Sequence, residues 1–384
     1  MSRDETTSVP TELPVVPHYG TRTLADLLPS IAHQLGHGGE DRVGIGPGER
    51  FVVLLIDGLG TEQLEQVASR APFLAGALRR GGQVITAAVP STTVTSLTSL
   101  GTGLPPGEHG VAGFTFWLPE EREVVAPLFW ESALGPLELQ PRETELQRLA
   151  ASGVAVSSVL PSRFENSVLT VAGLRGGDFV GVAEDADSAQ RIEAVAAAAT
   201  RAPQTLVYAY ERELDHCGHA YGWQSEEWLE CLIRIDRWAS WLRAELPEDV
   251  RLIITGDHGM VDVPAENRLL VQDETGLLDG VHRLAGEGRF RQIYLDQGVS
   301  AVEVGERWAR RLGERAWVRT RDEAVEDGWL GELDPRVAAR FGDVLVAMAG
   351  NWAVMTREMP GEFGLVGMHG SLTAAEMLVP LLQP

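Results

Sequence analysis

Three times in this chain a short apolar run suited to a buried strand leads to an acid. FVVLLIDGLG runs into Asp57, VRLIITGDHGM into Asp257 beside His258, and LVYAYERELDHCGHAYG reaches Asp215 a few residues past its strand, with His219 four positions on. Short runs rich in Val, Ile and Leu are typical of strands buried on both faces. In open α/β sheets the carboxyl ends of such strands form the binding crevice. One Asp-Gly alone is an ordinary turn. Three strand-end acids accompanied by histidines are harder to explain by turn propensity, because carboxylates buried together are costly unless cations neutralise them. Asp and His supply the oxygen and nitrogen donors that suit zinc, and His369, in GMHGS, adds one more at a glycine-flanked loop.

Around these points, apolar β-rich runs alternate with helical stretches, the pattern of a largely parallel sheet covered on both faces. Strands are expected over Phe51–Ile56, Gln83–Val89, Val154–Leu160, Thr205–Tyr210 and Val250–Thr255. Helices are expected around Thr23–Gly36, over the Ala-rich Gln190–Thr200, and over Ser225–Leu246. The last of these places Trp228, Leu232, Ile235, Ala239 and Leu242 at helical spacing behind a Ser225 cap, so its tryptophans read as core. From about Asp262 to Leu365 the register changes to Gly-rich turns, scattered charge and weaker strands such as Arg291–Leu295 and Val344–Ala349. The expected organisation is an N-terminal lead-in over 1–49, a catalytic α/β domain over 50–261 plus 366–384, and a smaller cap or insertion over 262–365. The apolar C-terminal end should dock back on the core.

Composition narrows the chemistry. With 32 basic and 55 acidic residues the 384-residue chain carries a formal charge of −23, which repels nucleic-acid backbones and anionic lipid. Neither a nucleic-acid duplex nor a membrane is an expected partner. A phosphate substrate would be repelled as well, unless bound cations reverse the sign at the site. The sequence contains no lysine, which removes Schiff-base and P-loop chemistry. Two cysteines, Cys217 and Cys231, are too few for a disulfide framework or a Cys-rich zinc site. Cys217 lies between two ligand candidates, on what reads as an irregular loop, and is assigned to packing. The polar, proline-punctuated start lacks the apolar core of a signal peptide, and no run approaches roughly 18 apolar residues, so a cytoplasmic location is expected.

The remaining motif is VPSTTVTSLTSLGTGLPPGEHGVAGFTFW. Pro90 ends a strand, the Ser/Thr cluster can cap a helix beginning near Thr92 or Thr93, and Gly101–Pro106 terminates it. A helix N-terminus offers free amide donors and a positive dipole end, which suits a phosphoryl oxygen. A hydroxyl placed there is sited as a nucleophile, provided a metal lowers its pKa.

Taken in order, IDGLG, PSTTVTSLTSLGTGLPPGEHG, DHCGHAYG, GDHGM and MHGS resemble the alkaline phosphatase superfamily, and within it the nucleotide pyrophosphatase/phosphodiesterase (type I phosphodiesterase) family. The anchors span Asp57 to His369. The resemblance implies an α/β, alkaline-phosphatase-like fold: a mostly parallel central sheet with helices on both faces and a smaller cap. It implies two divalent metal ions, zinc, one surrounded by Asp57, Thr93, Asp257 and His258 and the other held by Asp215, His219 and His369. It also implies a covalent phosphothreonine on Thr93, which is preferred to Thr92 by its spacing to Thr102-Gly103 and His109-Gly110. The expected substrate is a small-molecule phosphate ester, cleaved at a phosphodiester or nucleotide pyrophosphate bond.

The chain also departs from the family pattern. Val94, Thr95 and Ser96 follow the nucleophile where an aromatic and a Pro-Asn pair are usual, and Phe114 falls where an Asn usually contacts the phosphoryl group. His109, Phe114 and Arg163 are candidate substrate contacts, while Phe116 and Trp117 read equally as pocket or core. Two alternatives stand beside the diesterase: a phosphomonoesterase on the same site, and a non-catalytic relative that binds metal or phosphate ligands. A sulfatase is disfavoured, since Thr93 cannot mature to formylglycine.

Overall fold

The computed structural model describes residues 10–130 and 132–384; the first nine residues of the lead-in segment lie outside it. The principal strands are β1 (Arg50–Ile56), β2 (Gln83–Thr86), β3 (Ala155–Pro161), β4 (Asp178–Val182), β5 (Thr205–Glu211), β6 (Val250–Thr255), β7 (Val281–Glu287), β8 (Phe290–Leu295), β9 (Ala316–Thr320), β10 (Val344–Met348) and β11 (Leu378–Leu382). Among the described residues, seven of them form the central sheet in the order β2-β11-β6-β1-β5-β3-β4. β1 pairs in parallel with β5 and β6, and β3 in parallel with β4 and β5, whereas β11 is antiparallel to β2 and β6.

The middle of this sheet is buried on both sides, which explains the unbroken apolar sequence of β1. Phe51, Val53 and Leu55 enter one hydrophobic cluster, and the alternate residues Val52, Leu54 and Ile56 enter the other. The first cluster is closed by α1 (Leu27–Gln34) and α2 (Thr93–Thr102), the second by α3 (Ser188–Thr200), α4 (Glu213–Tyr221) and α5 (Glu226–Glu245). Trp228, Leu232, Ile235, Ala239 and Leu242 of α5 are buried at the expected spacing, and the Ser225 hydroxyl accepts from the Trp228 amide at 3.1 Å, capping the helix. Each such apolar side chain contributes about 1.5–3 kcal/mol on burial, so the core fixes where the strand ends fall.

Several expectations change. The strand expected over Gln83–Val89 stops at Thr86, and the Val89 amide donates to the Tyr19 hydroxyl at 3.2 Å rather than to a neighbouring strand. The C-terminal run becomes a strand of the central sheet itself. The segment carrying Asp215 and Cys217 is the regular helix α4, not an irregular loop, so Asp215 and His219 lie one turn apart on one face. Cys217 packs against the second cluster. Within 262–365, Val281–Glu287 and Ala316–Thr320 join the two expected strands in an antiparallel sheet of order β7-β8-β10-β9. One face of that sheet packs on the helix Ala301–Leu312 through Val304, Trp308 and Leu312. Phe290, Trp317, Leu345 and Ala347 enter the first cluster of the central sheet, so the two sheets share a core.

Candidate active site

At the carboxyl end of the central sheet, seven side chains from five separate stretches of chain converge. Asp57 leaves β1, Asp257 and His258 leave β6, Asp215 and His219 project from α4, Thr93 opens α2, and His369 lies in the loop before β11. Thr92 is the helix cap, but its side chain makes no capping hydrogen bond. Thr93 presents its hydroxyl to the cluster, 3.3 Å from Asp57 Oδ1 and 3.2 Å from His258 Nε2. Gly58 lets the Asp57 turn approach α4: a side chain there would start 3.1 Å from the Asp215 backbone, at a φ of +75°. Asp257 Oδ1 accepts from the amides of Gly58 at 3.0 Å and His258 at 3.1 Å, which joins the β1 and β6 turns.

The three histidines are oriented alike. Nδ1 of His219, His258 and His369 each lies 2.9 Å from a backbone carbonyl, that of Gly367, Gly259 and Ser91 respectively. A carbonyl can only accept, so each Nδ1 carries a proton and each ring turns its Nε2 inward. The Nε2 atoms of His219 and His369 are 3.3 Å apart, and His219 Nε2 is 3.3 Å from Asp215 Oδ2. His258 Nε2 is 3.5 Å from Asp57 Oδ1 and 3.7 Å from Asp257 Oδ2, and its ring stacks on His369 at 3.7 Å. Asp57, Asp257 and His258 offer donor atoms all within 4.8 Å of one another, as do Asp215, His258 and His369; His258 thus belongs to both groups.

The electrostatics point the same way. Burial raises the Asp57 carboxyl well above its ordinary range, with repulsion from Asp257 and Asp215 adding to it. Burial likewise raises Asp257, and it pushes His369 well below the usual imidazole value, so this ring is neutral. Asp215 Oδ1 and Asp257 Oδ2 are buried without a hydrogen-bond partner. Inward Nε2 atoms, orphaned carboxylate oxygens and an N/O donor set form the environment a divalent cation relieves. The residues present therefore fit the binding of divalent metal.

Three candidate contacts from the sequence are not gathered here. His109 is fully buried: its Nδ1 accepts from the Val111 amide at 3.1 Å and its Nε2 meets the Ser99 hydroxyl at 2.9 Å. Burial lowers it to about 3, so it is a neutral brace within the turn after α2 and not a substrate contact. Arg163 is half-exposed, ion-paired with Glu184 and stacked on Phe164, and it faces a neighbouring cleft rather than Thr93. Phe114 packs edge-on against Phe129 at 6.3 Å and is not among the residues lining the cleft that Phe129 borders. Phe116 is core, and Trp117 packs against His282 and Tyr294.

Other residues escaped the sequence reading. Tyr210, on β5, donates its phenol to Asp57 Oδ2; burial and the Asp57 charge keep this phenol protonated, with a pKa well above the ordinary value. Its alternation with Tyr208 on an expected strand was the available signal. Tyr210→Phe removes a hydrogen bond to a charged group, a loss of about 1.5–3 kcal/mol, and is expected to lower kcat/KM for an aryl phosphodiester about tenfold. An unchanged value would show that Tyr210 does not orient Asp57. Glu287, at the end of β7, approaches His369 Nδ1 to 3.8 Å from the second sheet. Nearby, buried Arg289 grips both oxygens of Glu376 at 3.0 and 2.6 Å, and Glu376 in turn accepts from the Ser371 amide at 3.0 Å. The second sheet thereby pins the loop that carries His369.

Fold and site define the class as a phosphoester hydrolase of the alkaline phosphatase superfamily. The sequence profile of the type I phosphodiesterase/nucleotide pyrophosphatase family matches residues 51–372, and the chain belongs to that family. No curated protein sequence matches it significantly. Among solved structures, murine ectonucleotide pyrophosphatase/phosphodiesterase 5 superposes with a TM-score of 0.67 at 17% identity, over 87% of this chain and 88% of that one. The human counterpart gives 0.68 at 17% identity, over 87% of both chains. A phosphonoacetate hydrolase from Sinorhizobium meliloti gives 0.66 at 21% identity, over 88% of this chain and 90% of that one. The alkaline-phosphatase-like α/β fold expected from the sequence is the fold observed.

Proposed function

We propose that this protein is a two-zinc phosphodiesterase acting on a small-molecule phosphate ester through a phosphothreonine at Thr93. Asp57, Thr93, Asp257 and His258 would hold one ion, and Asp215, His219 and His369 the other. The observation that carries this reading is the common orientation of three imidazoles, each locked by its Nδ1 proton onto a carbonyl, with Nε2 turned toward buried, unpartnered carboxylate oxygens.

When bound, the two cations neutralise the carboxylates, acidify the Thr93 hydroxyl and stabilise the entering and leaving oxygens of an in-line displacement. The protein's own groups do the rest. The start of α2 aims Thr93 Oγ1 at phosphorus and offers free amides to the phosphoryl oxygens. Oγ1 forms the new P–O bond as the ester oxygen departs, and water later cleaves the Oγ1–P bond. Tyr210 holds the Asp57 carboxylate by its phenol, and the carbonyls of Gly367, Gly259 and Ser91 hold the imidazoles in one tautomer.

A diester is favoured over a monoester because a cleft of about 310 Å³ opens beside Thr93, Asp57 and Asp215 and can receive a second substituent. The test compares an aryl phosphodiester with the aryl phosphomonoester on one zinc-replete preparation. The diester is expected to have the higher kcat/KM; a monoester preferred by orders of magnitude would overturn the assignment in favour of a phosphomonoesterase.

A further inference from the structure

The cleft beside Thr93 has an unusual division of polarity. Its body is lined by Leu97, Leu160, Phe164, Leu169 and Leu174, and its mouth by Leu128 and Phe129. Leu97 stands one helical turn beyond Thr93, so the apolar wall begins directly at the reacting end. Several polar side chains of the wall are already engaged. The Ser167 hydroxyl donates to Thr170 Oγ1 at 2.9 Å and accepts from the Thr170 amide at 3.2 Å. The Tyr210 phenol is committed to Asp57, and Arg212 Nε donates to Glu213 at 2.8 Å. The Tyr208 hydroxyl is buried beneath the surface, out of reach of a ligand. Away from the Asp57–Thr93–Asp215 end, His216 and the Nη groups of Arg212, whose Nε alone is bonded to Glu213, are the remaining polar groups among the described lining residues.

A pocket reads a polar ligand through placed donors and acceptors, and it holds an apolar one by area alone. A wall built mainly of leucine and phenylalanine side chains, with Ser167 and Thr170 bonded to each other, gives the edge of a heterocyclic base few partners. At about 310 Å³ the cleft is at the small end of the range of roughly 300–1,000 Å³ usual for small-molecule sites. At the mouth, Phe129 is 71% exposed and Leu128 46% exposed, and paired exposed apolar side chains at a cleft rim commonly mark a binding site.

We infer that the second ester substituent of the substrate is a short apolar group, alkyl or aryl, seated between Leu97, Leu169 and Phe129, and that nucleoside esters are poor substrates. This rests on the phosphodiesterase reading above and adds the class of group that the site selects. It agrees with the chain's departures from the family pattern: Val94, Thr95 and Ser96 are wholly buried in α2 and face no ligand.

The test is a series of p-nitrophenyl alkyl phosphodiesters from methyl to butyl, with thymidine 5′-p-nitrophenyl phosphate alongside, all on the zinc-replete protein. Burial of a methylene is worth about 0.8 kcal/mol, or about fourfold, so kcat/KM is expected to rise about fourfold per carbon. The butyl ester should exceed the thymidine ester by at least about tenfold. Phe129→Ser alters an exposed mouth residue that the core does not need, and it is expected to reduce the gain per methylene to below about twofold. A flat series, or a thymidine ester cleaved best, would overturn the apolar-substituent assignment while leaving the phosphodiesterase reading intact. Failure to cleave any member would instead remove the reading on which it rests.

Discussion

Alanine at position 93 is expected to lower kcat/KM for an aryl phosphodiester by at least about a thousandfold, since the group that forms the covalent bond is gone. The fold should survive the change. Thr92, not Thr93, occupies the cap position of the helix, and alanine is a good helix former. The hydroxyl of Thr93 touches only the polar cluster, at 3.3 Å from Asp57 and 3.2 Å from His258. Circular dichroism should therefore match that of the wild type, and Asp57, Asp257 and His258 remain to hold the ion that Thr93 would share. Thr93→Ser keeps an oxygen at the same place and is expected to retain activity within about an order of magnitude. Full activity in a metal-replete Thr93→Ala protein would sink the nucleophile assignment.

Stripping the protein with a chelator is expected to abolish hydrolysis and to lower thermal stability, and added zinc should restore both. A ligand that binds only the folded state at a thousandfold excess over its Kd stabilises by about 4 kcal/mol. The direction of the pH effect follows from the buried acids. In the metal-free protein Asp57 and Asp257 titrate above their ordinary values, because burial, and for Asp57 its neighbouring carboxylates, oppose ionisation. The folded state then holds protons that the unfolded chain releases. Its stability is greatest below the ordinary carboxylate pKa and is lost as pH rises through the raised values. Zinc should stabilise most at the upper end of that window, where it relieves repulsion between ionised groups. Asp257→Asn removes one buried charge while keeping an oxygen to accept from Gly58 and His258. It should raise the melting temperature of the metal-free protein and weaken its response to zinc. A melting temperature indifferent to both chelator and zinc would argue against a metal centre.

Residues that act where their own strand ends were legible because the local pattern carries the information. An apolar run followed by Asp57 or by Asp257-His258 specifies both the buried strand and the place where its acid emerges. Thr93 was legible for a similar reason, since a Ser/Thr cluster after Pro90 marks a helix start. Other features were not local. The helix bearing Asp215 reads as a loop because it contains Gly218, which costs about 1 kcal/mol in a helix. In the structure Met260 packs so closely that a side chain at 218 would lie 2.4 Å from its sulfur, so contact with a distant segment decides the matter. β4, with the sequence DFVGV, was overlooked because a half-exposed edge strand interrupted by glycine lacks an apolar run.

Long-range pairing hid the rest. Arg289, Arg291 and Glu287 look like surface charges in sequence, yet all three are buried, with Arg289 held by Glu376 and Arg291 by Glu362. The Tyr210–Asp57 bond joins residues 153 positions apart. His109 shows the converse: a histidine that read as a candidate substrate contact became a buried brace once its two nitrogens found Ser99 and Val111.

By itself, then, the sequence determined the alternating α/β architecture, the family, and the set of Asp, His and Thr side chains at the strand ends, because strand burial and helix starts are written in neighbouring residues. Only the tertiary structure decided that the seven converge, which tautomer each histidine presents, that Tyr210 and the second sheet brace them, and that the adjoining cleft is apolar. Those properties depend on distances between segments far apart in the chain, and such distances are set by packing of the shared core rather than by any local pattern.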